Sequence, residues 1–304
     1  MGSLPMSLKN STRERLASVT EARRSPRPRP RRKRVSVLQV IVAGLLTVGG
    51  LASVLPFLLM LSFSFGSSAE LGRLPPPIIP SALRLDNYIA VFERVPMTQF
   101  LINSLVVAIL VVIGQLIVCS MAAYAFARLE FRGRAALFSV YLVSLMVPSQ
   151  LTIVPLFLVM RQLDLVDSLA ALILPSLMSV FGIFLLRQAF AAIPKELEDA
   201  AKMDGAGHFS IYRRIVMPMS GPALVALAIL AFNAVWNSFL WPLIIINSPE
   251  NMTLPVGVTF LQGQEYTSTG ILTAAATVSV LAPLLVFIVL QRRLVEGVAM
   301  SSGR

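Results

Sequence analysis

The chain has 304 residues, of which 56% are hydrophobic and 13% are charged, and its formal net charge is +11 at pH 7. This composition is too apolar and too poor in charged residues for an average soluble domain. The single cysteine, Cys119, excludes a disulfide framework within the chain.

The basic residues are concentrated in the first 34 positions, which hold eleven Lys and Arg against two Glu. Arginines alternate with prolines between Pro26 and Pro30. Because this composition cannot bury a core, we predict a disordered cytoplasmic tail over residues 1–34. The tail either sets only the membrane topology or also binds anionic lipid headgroups. Placed in this tail, the positive charge gives no reason to expect a nucleic-acid partner.

Six long windows without charged residues follow this tail. A membrane-spanning helix needs about 20 apolar residues, and backbone in lipid must satisfy its own hydrogen bonds, which favours helices. We therefore predict an all-α integral membrane protein with a six-helix transmembrane domain at residues 35–291 and a cytoplasmic tail at 292–304. The predicted helices lie near residues 35–65, 100–127, 135–160, 168–190, 222–246 and 270–291. Pro148 and Pro155 fall inside the third helix and are expected to kink it.

The distribution of Lys and Arg predicts the orientation. With the N-terminus in the cytoplasm, the segments on that side carry 22 of these residues and the opposite loops carry four. This asymmetry fits the positive-inside rule in one direction only. We predict a multi-pass protein of the cytoplasmic (inner) membrane, with both termini and the loop between helices 4 and 5 in the cytoplasm.

The loop between helices 4 and 5, at residues 191–218, is the one long polar passage in the later part of the chain. Pro194 lies where a helix can begin, and acidic residues follow near the positive end of the helix dipole. Gly205 predicts the end of this helix, and a second amphipathic segment follows at 208–217. Two oppositely charged pairs stand four residues apart and are expected to pair along the helix surface: Lys195 with Asp199, and Glu198 with Lys202.

Several kinds of chemistry are missing from the sequence. It has no G-x-x-x-x-G-K-[ST] loop for nucleotide phosphates, and its one histidine, His208, lies in the polar loop. We therefore predict no bound ATP, no metal and no catalytic centre in this chain. No Asp, Glu, Lys or Arg lies deep in a predicted span, where such residues serve ion or proton coupling. This argues against a stand-alone secondary transporter and indicates an external source of energy.

The polar loop resembles the EAA loop of bacterial ABC importer permeases. The match is carried by Asp199-Ala200-Ala201, Gly205, Ile215 and Pro218, with Asp199 in place of Glu and Met217 in place of Leu. Four further stretches resemble the maltose-type permeases of carbohydrate ABC importers. They are residues 147–157, 173–190, 236–244 and 291–298.

The resemblance implies the transmembrane permease subunit of an ATP-driven importer for a sugar or oligosaccharide. The implied partners are a second homologous permease, an ATPase subunit dimer that binds ATP and Mg, an extracytoplasmic sugar-binding protein and membrane lipid. The chain itself would be non-catalytic. The resemblance also implies that the polar loop holds a coupling helix that seats in the ATPase. The residues expected in this role are Glu198, Asp199, Ala200, Ala201, Lys202, Met203, Asp204, Gly205 and Ala206.

Asn233, Trp236 and Asn237 fall within one turn of the fifth predicted helix. Amide groups bind hydroxyls and an indole stacks on a sugar ring, so these residues are candidates for the substrate path. They equally suit hydrogen bonds and packing between helices. Two further readings stay open on the residues alone: a permease for a non-sugar solute, and a scaffold subunit without a transport path.

Overall fold

The computed structural model describes the backbone of residues 37–73, 75–263 and 268–302, and the side chains of residues 41–73, 75–263 and 268–289. The predicted tail at 1–34 lies outside these residues. Within them the chain is all-helical and has no strand, as the sequence predicts. The chain divides into two units, Met1–Leu55 and Pro56–Arg304. The described part of the first unit is helical throughout, and the second unit contains the remaining helices.

The α-helices of the described chain, in order, are α1 (Val37–Ser64), α2 (Ser68–Leu71), α3 (Asp86–Arg94), α4 (Met97–Arg128), α5 (Arg134–Val143), α6 (Ser149–Gln162), α7 (Leu169–Ile173), α8 (Val180–Ala191), α9 (Lys195–Met203), α10 (His208–Ile211), α11 (Met217–Met219), α12 (Gly221–Trp236), α13 (Leu240–Ile245), α14 (Leu254–Gln262) and α15 (Thr269–Ser302). Short 3-10 turns occur at Ser144–Met146, Leu174–Leu177 and Pro249–Asn251, and a π-helical turn at Tyr212–Val216.

Four stretches of the described chain are long and apolar enough to cross a membrane: Ile41–Ser64, Met97–Arg128, Leu169–Ala191 and Thr269–Val289. Two more follow if each of two bent pairs forms one span. These pairs are Arg134–Met146 with Ser149–Gln162, and His208–Met219 with Gly221–Trp236. Length and composition therefore give four to six candidate membrane helices.

The third predicted helix is divided rather than kinked. Its two parts, α5 and α6, meet at an angle of 102°. The cause is Pro148, which lacks an N–H and forces the residue before it out of the helical conformation. Val147 is accordingly extended, with ψ of 115°. Pro155 lies inside α6 without ending it, so the two prolines act differently.

The fourth and fifth predicted helices are also interrupted. A 3-10 turn and the extended residues Met178 and Ser179 separate α7 from α8. The fifth predicted helix breaks after Trp236, the last residue of α12, and a short non-helical connection leads to α13. Such interruptions are tolerated at membrane depth only where the backbone is buried in protein or lines a wet cavity.

At the interruption between α7 and α8, side chains from other helices bond some of the backbone carbonyls that lack a partner within the helix. The Gln115 side chain donates a hydrogen bond to the Ser176 carbonyl at 2.7 Å. The indole N–H of Trp241 donates to the Ala171 carbonyl at 3.0 Å. The interruption is therefore held in place by α4 on one side and α13 on the other.

Helix α4 forms the centre of the second unit, because its buried face packs against α8, α12 and α14. The contact with α8 is close at Gly182, where a Cβ would lie 2.9 Å from Cδ1 of Leu227 and 3.3 Å from Sγ of Cys119. A side chain at this position would require the Leu227 or Cys119 side chain to move. The opposite face of α4 carries exposed apolar residues such as Ile113 and Ile117, which suits lipid or another membrane subunit.

Candidate functional site

The polar loop, here called the α9 loop (residues 191–218), contains a short helix, a glycine turn and a second helical segment, as expected. Pro194 is the N-cap of α9, and acidic residues occupy its first turn. After the helix ends, Gly205 adopts the left-handed conformation with φ of 82°. This reversal lets the N–H of Ala206 donate to the carbonyl of Ala201 at 2.9 Å, which closes the end of the helix.

The inner side of α9 is fixed by a buried ion pair that the sequence analysis did not predict. Nε of Arg128, at the end of α4, lies 2.7 Å from a carboxylate oxygen of Glu198, and the two side chains are 4% and 7% exposed. The same guanidinium donates to the carbonyls of Phe190 and Ile193, each at 2.6 Å. One arginine therefore joins α4, α9 and the end of α8.

The predicted pairing along the surface of α9 is wrong on both counts. Lys202 pairs with Asp199 at 3.1 Å, three residues away, and both side chains are exposed. Glu198 turns inward to Arg128 instead of pairing with Lys202. In the sequence, Arg128 counts only as one of the 22 Lys and Arg that predict the orientation. Its position at the end of a long apolar helix was the one available signal of a buried partner.

The α9 loop has two arms, α9 itself and the helical segment that follows Gly205. The second arm is also attached to α4. The hydroxyl groups of Tyr212 and Ser120 lie 2.7 Å apart, and the rings of Tyr212 and Tyr124 make an edge contact at 5.4 Å. Ser120, Tyr124 and Arg128 are spaced four apart and so share one face of α4. This face holds both arms of the α9 loop.

The outer side of α9 remains open to a partner. Of the nine predicted coupling residues, Glu198 is buried, Ala201 and Ala206 are half-buried, and the other six are exposed. Met203 is 85% exposed, and Phe209 and Leu197, in the same loop, are also exposed. A groove of about 490 Å³ lies between the arms and is lined mainly by small residues, among them Ala201, Gly205 and Ala206. Exposed apolar groups beside such a groove make it a candidate interaction surface.

The three candidate path residues of the fifth helix do not share one surface. Asn233 and Asn237 are exposed, and the Asn237 amide donates to the Asn233 side-chain oxygen at 3.0 Å. Trp236 is 3% exposed, stacks on Phe232 and donates its N–H to the Ser279 carbonyl at 3.0 Å. The indole therefore belongs to the bundle core, which is the packing role that the sequence had left open.

Among the described residues, no group of three His, Cys, Asp or Glu lies close enough together to hold a metal ion. Two features are typical of a helical membrane transport component. One is a set of apolar spans with interrupted helices, and the other is a polar loop whose inner side is attached to α4 and whose outer side is exposed. Residues 115–300 match the family described as binding-protein-dependent transport system inner membrane component. The chain belongs to this family, and the resemblance inferred from the EAA loop is confirmed.

Relatives extend the match to most of the chain. The arabinooligosaccharides transport system permease protein AraQ of Halalkalibacterium halodurans is 36% identical over 264 residues, which are 84% of this chain and 95% of AraQ. The sn-glycerol-3-phosphate transport system permease protein UgpE of Rhizobium meliloti is 32% identical over 262 residues, 83% of this chain and 93% of UgpE. The lactose transport system permease protein LacG of Rhizobium radiobacter is 31% identical over 258 residues, 85% of this chain and 94% of LacG.

A solved structure shares the fold. It is a crystal structure of a bacterial ABC transporter involved in the import of the acidic polysaccharide alginate. The match has a TM-score of 0.74 at 23% identity and covers 88% of this chain and 99% of the matched chain.

Proposed function

We propose that this chain is a transmembrane permease subunit of an ATP-driven ABC importer for a sugar or oligosaccharide. It forms the translocation path with a second homologous permease, receives its cargo from an extracytoplasmic sugar-binding protein, and is driven by a separate ATPase dimer that binds ATP and Mg. The chain itself catalyses no reaction. Each of the two bent pairs forms one span, so the chain has six spans. Both termini lie in the cytoplasm.

The observation that carries the proposal is the two-sided character of α9. Its inner side is fixed to α4 through Arg128 and Glu198, and its outer side exposes Met203 and a groove of small residues. A helix that receives force from a partner must be rigidly attached to the part that moves. The arrangement supports the exposed residues of α9 as the ATPase contact and Glu198 as a positioning residue behind them.

The choice of a sugar as cargo is supported by AraQ and LacG, whose names specify an arabinooligosaccharide and a lactose transport system. UgpE, named for glycerol 3-phosphate, supports the alternative of a non-sugar solute. The exposed amides of Asn233 and Asn237 suit a path for hydroxylated cargo, because an amide both donates and accepts hydrogen bonds. We assign these two residues, without Trp236, to the proposed path.

The test begins with isolation of the chain from its native membrane and identification of the subunits that accompany it. The assembled complex is then reconstituted for ATP-dependent uptake of arabinotriose, lactose and glycerol 3-phosphate. Ala200→Arg places a long charged side chain on the open face of α9 and should reduce ATPase association and uptake more than tenfold. Gly205→Pro should act in the same direction.

Ala135→Arg is the matched control, since it makes the same substitution at an exposed position of α5 on the same side of the membrane. It should leave ATPase association near the wild-type value. If Ala200→Arg binds the ATPase and transports as the wild type does, α9 is not the coupling element.

A further inference from the structure

The loop between α4 and α5 (residues 129–133) carries positive charge that the fold leaves without a partner. Arg132 is exposed, and Arg134, directly after the loop, is half-buried. Among the described residues, no carboxylate lies within ion-pair distance of either guanidinium. Nη1 of Arg134 donates to the Leu129 carbonyl at 2.9 Å. Because each guanidinium has several N–H donors, both side chains keep donors for an anion.

The position of this loop limits the source of the anion. The loop joins two candidate spans, Met97–Arg128 and the bent pair that begins at Arg134. Only five residues lie between α4 and α5, and such a segment reaches at most about 18 Å when fully extended. Both arginines must therefore stay near the membrane surface. In the proposed topology this is the cytoplasmic surface, to which anionic phospholipids give a negative potential.

An open depression of about 520 Å³ lies at this loop. Phe131 and Arg134 line it, and Arg132 stands between them in the chain. The Phe131 ring is 41% exposed and packs against the ring of Phe126, with 6.0 Å between the centroids. Glu130 also lines the depression and opposes a bound anion, so the two arginines must outweigh one carboxylate. The depression thus combines a net positive charge with an aromatic wall.

An apolar row continues from the depression along α5. Arg134, Leu137 and Val140 follow one another at intervals of three residues, so each is a neighbour of the next on the helix surface. Leu137 and Val140 are 55% and 69% exposed. A cation followed by an exposed apolar row complements a molecule with an anionic head and an apolar chain. An inorganic anion would use only the first part of this surface, so the arrangement favours a phospholipid.

We propose that the α4–α5 loop and the first turns of α5 bind an anionic phospholipid of the cytoplasmic leaflet, such as phosphatidylglycerol. Arg132 and Arg134 hold the phosphate, and Leu137 and Val140 contact an acyl chain. A zwitterionic lipid fits less well, because its own cation competes with the arginines for the phosphate. The inference goes beyond the proposed function and rests on it only for the side of the membrane on which the loop lies.

The test measures the unfolding midpoint of the assembled transporter, purified in a neutral detergent, against the concentration of phosphatidylglycerol. Phosphatidylcholine is the comparison without net charge, and inorganic phosphate is the soluble anion. Phosphatidylglycerol should raise the midpoint of the wild type, because a ligand that binds the folded protein stabilises it, and the other two should have little effect. For Arg132→Gln, the phosphatidylglycerol concentration that gives half of this shift should rise about fivefold, the value of one basic residue near an anionic surface.

Two further variants sharpen the test. Arg161→Gln is the matched control, since it removes the same charge from an exposed position at the opposite end of the same bent pair. It should leave the response to phosphatidylglycerol near the wild-type value. Glu130→Gln removes the charge that opposes the phosphate, so it should lower the concentration needed for half of the shift.

A measurement without lipid separates a ligand role from a structural one. The Arg132 side chain is exposed and has no ion-pair partner within the described chain. Arg132→Gln should therefore unfold at the wild-type midpoint when no lipid is added.

Four results would overturn the lipid site. The first is an equal response of the wild type and Arg132→Gln to phosphatidylglycerol, and the second is equal stabilisation by phosphatidylcholine. The third is an equally large response to inorganic phosphate that Arg132→Gln weakens, which would show a phosphate site only. The fourth is detachment of the ATPase from Arg132→Gln, which would assign the loop to that partner. The proposed function fails separately, through an absence of ATP-dependent uptake in the wild-type complex, and normal uptake with any of the four results rejects the lipid site alone.

Discussion

The two ends of α4 are fastened to the rest of the chain by different chemistry. At the α9 end, Arg128 forms a buried ion pair with Glu198 and bonds two carbonyls. At the far end the contacts are neutral. The Asn103 amide donates to the carbonyls of Glu250 and Met252 at 2.8 and 2.9 Å, and the Ser104 hydroxyl accepts from the N–H of Leu254 at 2.7 Å.

This difference determines how each end responds to damage. Removing one member of a buried ion pair leaves a charge without compensation and costs about 3–5 kcal/mol, whereas a neutral hydrogen bond contributes about 0.5–1.5 kcal/mol. The α9 end is therefore suited to a rigid connection in which one contact is indispensable. The far end distributes its attachment over several smaller contacts.

The largest expected effect is that of Arg128→Met. This change leaves Glu198 buried without a cation and removes the donor from the carbonyls of Phe190 and Ile193, so α9 should detach from α4. We expect a loss of about 3–5 kcal/mol of stability, seen as proteolytic cleavage within the α9 loop, together with loss of ATPase association.

Arg132→Met is the control for Arg128→Met, because it removes the same charge from an exposed position four residues away. It should be cleaved no faster than the wild type. Glu198→Gln, which keeps a hydrogen-bonding group beside Arg128, should fall between the two. Equal protection of the loop in the Arg128 and Arg132 variants would contradict the role given to the ion pair.

A smaller effect is expected at the turn that ends α9. Gly205 has φ of 82°, and a Cβ at this position would have open space around it. The penalty for Gly205→Ala therefore comes from the backbone alone and should be about 1–2 kcal/mol. Hydrogen exchange of the amides at the end of α9 should become faster, and ATPase association should weaken in proportion.

Gly207→Ala provides a matched comparison for the turn. Gly207 also has open space around it, but its φ of −76° is available to any residue. The substitution should leave hydrogen exchange in α9 unchanged. A Gly205 variant that exchanges as slowly as the Gly207 variant would show that the left-handed turn does not hold α9.

Within the α9 loop, local rules were sufficient for the elements and failed for the contacts. The polar loop of the sequence contains the expected helix and glycine turn, because capping and left-handed glycine depend on neighbouring residues only. The partner of Glu198 could not be found in this way. Arg128 is 70 positions earlier in the chain, and the helix spacing rule offered Lys202 as a plausible but incorrect alternative.

The interruptions of the spans limited the prediction of the substrate path. Hydropathy windows identify where apolar chain is long enough to cross a membrane, but they do not detect a break whose freed carbonyls are satisfied by Gln115 or Trp241. The fifth helix ends at Trp236, whose indole lies in the core, whereas Trp241, beyond the break, lines a cavity of about 170 Å³. The sequence favoured the first tryptophan because it stood beside two asparagines.

The smallest expected effect concerns Asp167, which lies at the far end of the molecule in the left-handed region with φ of 60°. The hydroxyl of Ser248 and the N–H groups of Ser248 and Asn247 donate to its carboxylate, and these bonds, that of the Ser248 hydroxyl above all, hold its pKa below the ordinary value of 3.8. Because the folded pKa is the lower one, the stabilisation is complete at neutral pH and is lost as the pH falls below about 4.

Hydrogen exchange at residues 247–251, corrected for the intrinsic rate, should therefore be constant from pH 7 to pH 5 and accelerate modestly below pH 4. In Asp167→Asn the exchange should be faster at neutral pH and lose this acid step, and a step that persists in this variant would assign the titration to another group.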